Sequence, residues 1–266
     1  MLRKTITLAA SVVALGCTLP GAEQNTGTPS GTNRATPPPD SPVSSIQHIP
    51  LPEGYHREPA AKGSFAAFLR NIPIKNSHTV LLFNGTPKRN QEAHYAILDI
   101  PVGRQDLQQC ADAVMRLKAE YLFSQGRYND IVFRDNEGHV YVFAPPYNRS
   151  NLEKFMLRVF GMCGSASLEK ELRSVAHFSD IQAGDVLVRG GFPGHAEIVT
   201  DVAVNDAGEK IYLLAQSYMP AQDIHIVKNP MNSDSNPWYD ATDRGNEIYT
   251  PEYTFTRNQL KRWEGL

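Results

Sequence analysis

The sequence predicts an α+β fold in which an amphipathic, cysteine-bearing helix packs on an antiparallel sheet. Three observations predict it. Residues 182–217 carry strand formers at 185–188, 195–204 and 210–218, the last two joined across Asn205-Asp206-Ala207-Gly208, whose side chains tolerate positive φ and bond their own backbone. Residues 106–124 repeat apolar positions at helical spacing, with Leu107, Val114, Leu117 and Tyr121 on one face and Cys110 and Ala113 along the same side. The other segments are short strand and helix candidates with no internal repeat.

The chain has 266 residues, enough for one large domain or two small ones. Its net charge is -2, from 26 basic and 28 acidic residues spread along the chain. No basic stripe forms, so no nucleic-acid partner is expected.

Arg3 and Lys4 precede an apolar stretch, residues 6–15, too short to span a bilayer, and the segment ends in Ala14-Leu15-Gly16-Cys17. This resembles a bacterial lipoprotein signal. The resemblance implies a signal peptide over 1–16 and an acylated (palmitate-bearing) Cys17 that tethers the protein to a membrane of the cell envelope, outside the cytoplasm. An ordinary secretory signal, with Cys17 a spare thiol, is the alternative. Residues 17–45 then form a Thr/Pro/Ser-rich stretch with too few apolar residues to offset the entropy of ordering, a disordered linker, and 46–266 the folded domain.

Within that domain, Ser64 caps a short helix, FAAFLRNI, with Phe65, Phe68 and Leu69 on one side. Residues 78–84 and 94–100 read as strands across the turn-rich GTPKRNQ. Asp106 is the expected N-cap of the cysteine helix and Gln109 its capping-box partner, so that Cys110 falls in the first turn of a helix ending near Ser124. Strands at 130–133 and 140–143 form a hairpin across Asp135-Asn136-Glu137-Gly138. Asn151 is expected to cap LEKFMLRVFGMC, and Ser167 a short LEKEL turn. Residues 222–227 are a further strand candidate, Trp238 and Tyr239 either join the core or line a cleft, and Thr256 caps a closing helix, NQLKRW.

If the central turn is symmetric, with Val204 opposite Glu209, His195 faces Tyr218 and its diagonal neighbour is Gln216, roughly 7–8 Å away. A slip of one residue would reverse the face. A thiol with pKa near about 8.5 is only a few per cent thiolate at neutral pH. A helix N-terminus shifts it by at most about one unit, so an activated Cys110 also needs an adjacent imidazolium. His195 is the first candidate base and His94, opening an earlier strand, competes with it. Gln216 could fix the imidazole tautomer as the third group of a triad does. His195-Ala196-Glu197 mimics a zinc-deaminase motif, but no Pro-Cys-x-x-Cys follows. The run Gly190-Gly191-Phe192-Pro193-Gly194 lacks the lysine of a phosphate loop. Neither a metal nor a cofactor is called for.

A helix-leading cysteine, then Ala183-Gly184-Asp185-Val186, then His195-Ala196-Glu197-Ile198 and a strand ending in a polar residue, resembles the NlpC-type papain-like cysteine peptidases of bacterial cell walls. Their Asp-Cys-Ser-Gly is replaced here by Gln109-Cys110-Ala111-Asp112. Over nearly the whole folded part, CADAVMRLKAEYL, GHAEIVTDVAV and LLAQSYMPAQDIHI resemble the uncharacterised lipoproteins of the Domain of Unknown Function 4846 family. The resemblances imply a papain-like domain over 46–266 and a thiol amidase or peptidase with Cys110 as nucleophile, His195 as base and Gln216 as orienting residue. With the compartment, they imply a cell-wall (peptidoglycan) peptide as substrate class. Two other readings stand beside this one: an inert surface lipoprotein that binds a wall fragment, glycan or protein partner, and an envelope protein stapled by a Cys110–Cys163 disulfide.

Overall fold

Strands β7 (His195–Asn205) and β8 (Lys210–Gln216) are the centre of the sheet, because their residues are apolar on both faces and both faces are covered. The computed structural model describes residues 43–234, 236–242 and 245–266. The signal segment 1–16, Cys17 and all but the last three residues of the linker 17–45 lie outside the described residues.

The other strands, in chain order, are β1 (Tyr55–Arg57), β2 (His94–Ile97), β3 (Val132–Arg134), β4 (Val140–Val142), β5 (Arg173–Ser174), β6 (Val186–Arg189), β9 (His225–Val227), β10 (Tyr239–Asp240), β11 (Glu247–Tyr249), β12 (Thr254–Thr256) and β13 (Leu260–Arg262). The helices are α1 (Phe65–Arg70), α2 (Cys110–Ser124), α3 (Arg149–Met162) and α4 (Ser165–Glu171). Nine strands form an antiparallel sheet in the order β2-β9-β8-β7-β6-β13-β5, with β1 against β7 and β10 against β8. Two hairpins, β3–β4 and β11–β12, stand apart from it.

Side chains alternate across the sheet, so it carries two cores. One face sets Ala196, Ile198, Leu213, Ala215 and Ile226 against helix residues such as Leu69, Val114 and Leu117. The other sets Leu187, Val199, Leu214 and Val227 against Ile248 of β11 and Phe255 of β12. Asp201, fully buried, accepts from Arg57 Nε at 2.7 Å and Arg70 Nη2 at 2.6 Å, and so ties β1 and α1 to β7. Among the described residues no helix is long and apolar enough to cross a membrane.

The mixed helix and antiparallel sheet content is the α+β class expected. Several elements differ from the sequence reading, each for a tertiary reason. Residues 78–84 make only isolated bridges, because Asp223 Oδ2 takes the N–H of Leu81 and Gln91 Oε1 that of Val80. Asn148 rather than Asn151 caps α3, accepting from Asn151 N at 2.9 Å, while Asn151 Nδ2 turns back to the carbonyls of Ala144 and Pro146. Gly164, not Ser167, precedes α4, and the Ser167 hydroxyl closes that turn from inside. The closing segment is no α-helix: a 3-10 turn over Arg257–Gln259 leads into β13, which pairs with β6 at Leu260↔Leu187. Pairing along β6 and burial of Leu260 outweigh the helical propensity of NQLKRW. Trp238 and Tyr239 are buried, the latter within β10.

Candidate active site

Cys110 is the first residue of α2, whose N-cap is Gln109, three positions later than the expected cap Asp106. The backbone N–H of Gln109 donates to Asp112 Oδ2 at 3.0 Å and closes the first turn. Asp106 is drawn away instead, accepting from Ala221 N at 2.7 Å and Gln109 Nε2 at 3.1 Å. As the first helical residue, Cys110 has an N–H with no acceptor inside the helix. This half-buried residue lines a cleft of about 770 Å³ together with His195, Tyr218, Phe160, Met162 and Phe192.

His195 enters this cleft as the first residue of β7, and its register has two compensating parts. At the turn Val204 pairs with Lys210, one residue off the symmetric expectation, which alone would turn His195 to the other face. A bulge leaves Thr200 unpaired between Val199 and Asp201, so that Val199 meets Leu214 and Ile198 meets Ala215. The expected relation is thereby restored. His195 packs on Tyr218, with ring centroids 5.0 Å apart, and its Nε2 lies 2.6 Å from Gln216 Oε1.

Every polar atom of the Gln216 side chain has a partner. Oε1 accepts from His195, and Nε2 donates to Glu252 Oε2 at 2.8 Å and to His225 Nε2 at 3.3 Å. His225 directly opposes Gln216 in β9, and its Nδ1 donates to Asp223 O at 2.8 Å, which leaves Nε2 as an acceptor. Burial holds the His225 imidazole well below its ordinary range, so it is neutral at pH 7. Glu252 in turn pairs with the buried Lys88. These contacts fix the amide with its oxygen towards His195.

A carboxylate that sequence reasoning did not place in the site lies near the same ring nitrogen. Glu197 Oε1 sits 3.4 Å from His195 Nε2 and accepts from Thr250 Oγ1 at 2.8 Å, while its Oε2 has no partner among the described residues. Burial disfavours the imidazolium, but the influence of the neighbouring Cys110 and Glu197 side chains outweighs it and raises the His195 pKa to about 10. The rings of Tyr218, Tyr253 and Phe255 surround the imidazole. Glu197 was within reach of a sequence argument, because residues i and i+2 of a strand share a face. Glu252, Lys88, Thr250 and His225 come from distant segments and gave no such signal.

The remaining candidates fall elsewhere or serve differently. His94 Nε2 bonds His78 O at 3.0 Å and its ring packs edge-on against His225; it does not line the cleft. Cys163 does line it, but Cys110 and Cys163 are both free thiols, so no staple joins α2 to α3. Burial, followed by the nearby carboxylates of Glu171, Asp135 and Asp112, pushes the Cys163 thiol up to about 12. Asp112, beside the nucleophile candidate, is raised by burial to about 8 and is mostly neutral at pH 7. The glycine run ahead of His195 is pressed against α4: a Cβ on Gly190 would meet Ala166 Cα at 2.9 Å, and one on Gly194 would collide with Ser165 Oγ. Among the described residues no group of three or more His, Cys, Asp or Glu could hold a metal ion.

The family model described as "Domain of unknown function (4846)" matches residues 46–145 and 140–262. No curated protein and no solved structure matches the chain.

Proposed function

The chain belongs to the domain of unknown function (4846) family, and we propose that it works there as a thiol hydrolase of the bacterial cell envelope, on a papain-like, NlpC-type domain tethered through a lipid on Cys17. The observation that carries this reading is that Cys110 and His195 line one cleft while Gln216 Oε1 engages His195 Nε2. With Nε2 so engaged, Nδ1 is the ring nitrogen open to the thiol of Cys110. The Glu197 charge, working against the cost of burial, keeps the ring available as an imidazolium.

The chemistry follows from that arrangement. The Cys110 thiolate attacks an amide carbonyl carbon, and the negative oxygen that develops is met by the free N–H at the start of α2. His195 gives its proton to the leaving nitrogen, the C–N bond breaks, and the acyl group remains as a thioester. Water then yields a proton to His195 and its oxygen to the acyl carbon, releasing a carboxylic acid and restoring the thiolate. Gln216 holds the ring in one tautomer throughout. The resemblance to cell-wall peptidases and the compartment favour a wall peptide as substrate class.

Alkylation of Cys110 by iodoacetamide, followed against pH on soluble protein starting after Cys17, tests this reading. The expected result is rapid labelling at pH 6 that slows about tenfold or more in His195→Ala, because the neighbouring imidazolium is lost. Labelling with an ordinary thiol profile, unchanged by His195→Ala, would overturn the reading in favour of a binding lipoprotein.

A further inference from the structure

The segment that leaves β8 is clamped to the start of α2 at two points. Ser217 Oγ donates to Gln108 O at 3.0 Å, two residues ahead of Cys110, and the N–H of Ala221 donates to Asp106 Oδ1 at 2.7 Å. Tyr218 lies between these clamps and lines the cleft with Cys110 and His195. Its ring packs on the imidazole, with centroids 5.0 Å apart. Neighbouring donors are already spent: Tyr253 gives its hydroxyl to Pro193 O at 3.5 Å, and Gln109 Nε2 donates to Asp106 Oδ1 at 3.1 Å. The Tyr218 hydroxyl makes no hydrogen bond among the described residues. Burial, then the charges of Glu252 and Cys110, raise the phenol above its ordinary 10.0, so it keeps its proton and is a donor at neutral pH.

We propose that Tyr218 is a catalytic residue of this site: its phenol O–H donates, beside the Cys110 N–H, to the oxygen that turns negative when the Cys110 thiolate attacks a wall-peptide carbonyl. This rests on the hydrolase reading, which supplies the thiolate and the carbonyl. The C–S bond forms as the C=O π pair moves onto oxygen, and that pair returns when the C–N bond breaks. The phenol keeps its proton throughout. Donors already fixed around the developing charge need no reorganisation at the moment of reaction, which is why they lower the barrier more than water does. The bonds at Gln108 and Asp106 tie the segment carrying the phenol to the N-terminus of α2, so the two donors are held together.

Tyr218→Phe tests this, because it keeps the ring on His195 and removes only a hydroxyl that is unbonded among the described residues. The probe is the peptide aldehyde N-acetyl-alanyl-alaninal, which adds reversibly to the thiolate and develops a negative oxygen as the tetrahedral intermediate does. Its affinity is read from protection of Cys110 against iodoacetamide, a reagent attacked at a saturated carbon that develops no such oxygen. The variant is expected to bind the aldehyde about tenfold or more weakly and to lose about a hundredfold in kcat on a fluorogenic wall-peptide amide. Its iodoacetamide labelling is expected to stay within about twofold of wild type, since the thiolate is unaltered. No protection of the wild-type thiol, an aldehyde affinity untouched by the variant, or labelling that slows in parallel would overturn the inference. The last outcome would make Tyr218 a positioning residue for His195. The hydrolase reading fails separately, through an ordinary iodoacetamide profile in the wild-type protein that His195→Ala leaves unchanged, so the two failures are distinguishable.

Discussion

His195 Nε2 and Gln216 Oε1 meet at 2.6 Å because the bulge at Thr200 cancels a one-residue offset at the Asn205 turn. The side chain that orients the imidazole is itself oriented, by Glu252 on one amide hydrogen and by neutral His225 on the other. The geometry of the site is therefore held by three adjacent strands and by the segment carrying Glu252.

Gln216→Ala removes the acceptor on Nε2 and frees the ring to rotate. Hydrolysis of a fluorogenic wall-peptide amide is expected to fall by about a hundredfold in kcat with KM nearly unchanged, the size of loss that misplacing a reacting group by about 1 Å produces. Steady-state kinetics check it, and a loss confined to KM would assign Gln216 to substrate binding.

The imidazole of His195 has its pKa raised to about 10 against an ordinary 6.5. The proton it gains on folding stabilises the fold fully below pH 6.5, and that contribution is lost as pH rises through about 10. Nuclear magnetic resonance of the ring is expected to show it protonated through pH 8, with the midpoint moved downward in Glu197→Gln. A wild-type midpoint at or below 6.5 would mean that burial cancels or outweighs the influence of Cys110 and Glu197.

Asp112 behaves in the same direction for the opposite chemical reason. Its carboxyl is raised from 3.8 to about 8, chiefly by burial, so the folded protein keeps a proton that the unfolded chain releases. Its contribution is fully present below pH 3.8 and declines as pH rises towards 8. Asp112→Asn is expected to flatten this part of the stability profile and to gain most, relative to wild type, at pH 8 and above. Urea unfolding at a series of pH values measures it, and parallel profiles for the two proteins would refute it.

Asp201 is buried between two arginines, and Asp201→Ala leaves Arg57 and Arg70 without their shared carboxylate. The expected loss is about 3–5 kcal/mol, as for breaking a buried ion pair from one side. The urea midpoint should drop with the slope unchanged. A loss below about 1 kcal/mol would show that water replaces the pair.

Local signals carried much of this far. Ser64 accepts from Ala67 N as its position before an apolar run requires, and the 132–142 hairpin turns at its Asp-Asn-Glu-Gly. Elsewhere the neighbour in space decided. Asp106 is the better helix cap by residue type, yet the N–H of Ala221, a residue more than a hundred positions away, takes its carboxylate, and the helix starts after Gln109. NQLKRW became an edge-filling strand because β6 offered it unpaired backbone groups.

The sequence by itself determined the α+β class, the cysteine at a helix start, and a histidine and glutamine on neighbouring strands, since these depend on periodicity and turn chemistry within a few residues. Only the tertiary structure decided that Thr200 bulges, that Glu197 sits beside the ring, and that Glu252, Lys88 and His225 hold the amide. These are contacts between segments far apart in the chain. Burial makes them obligatory: a polar group removed from water must find its partner wherever packing has placed one.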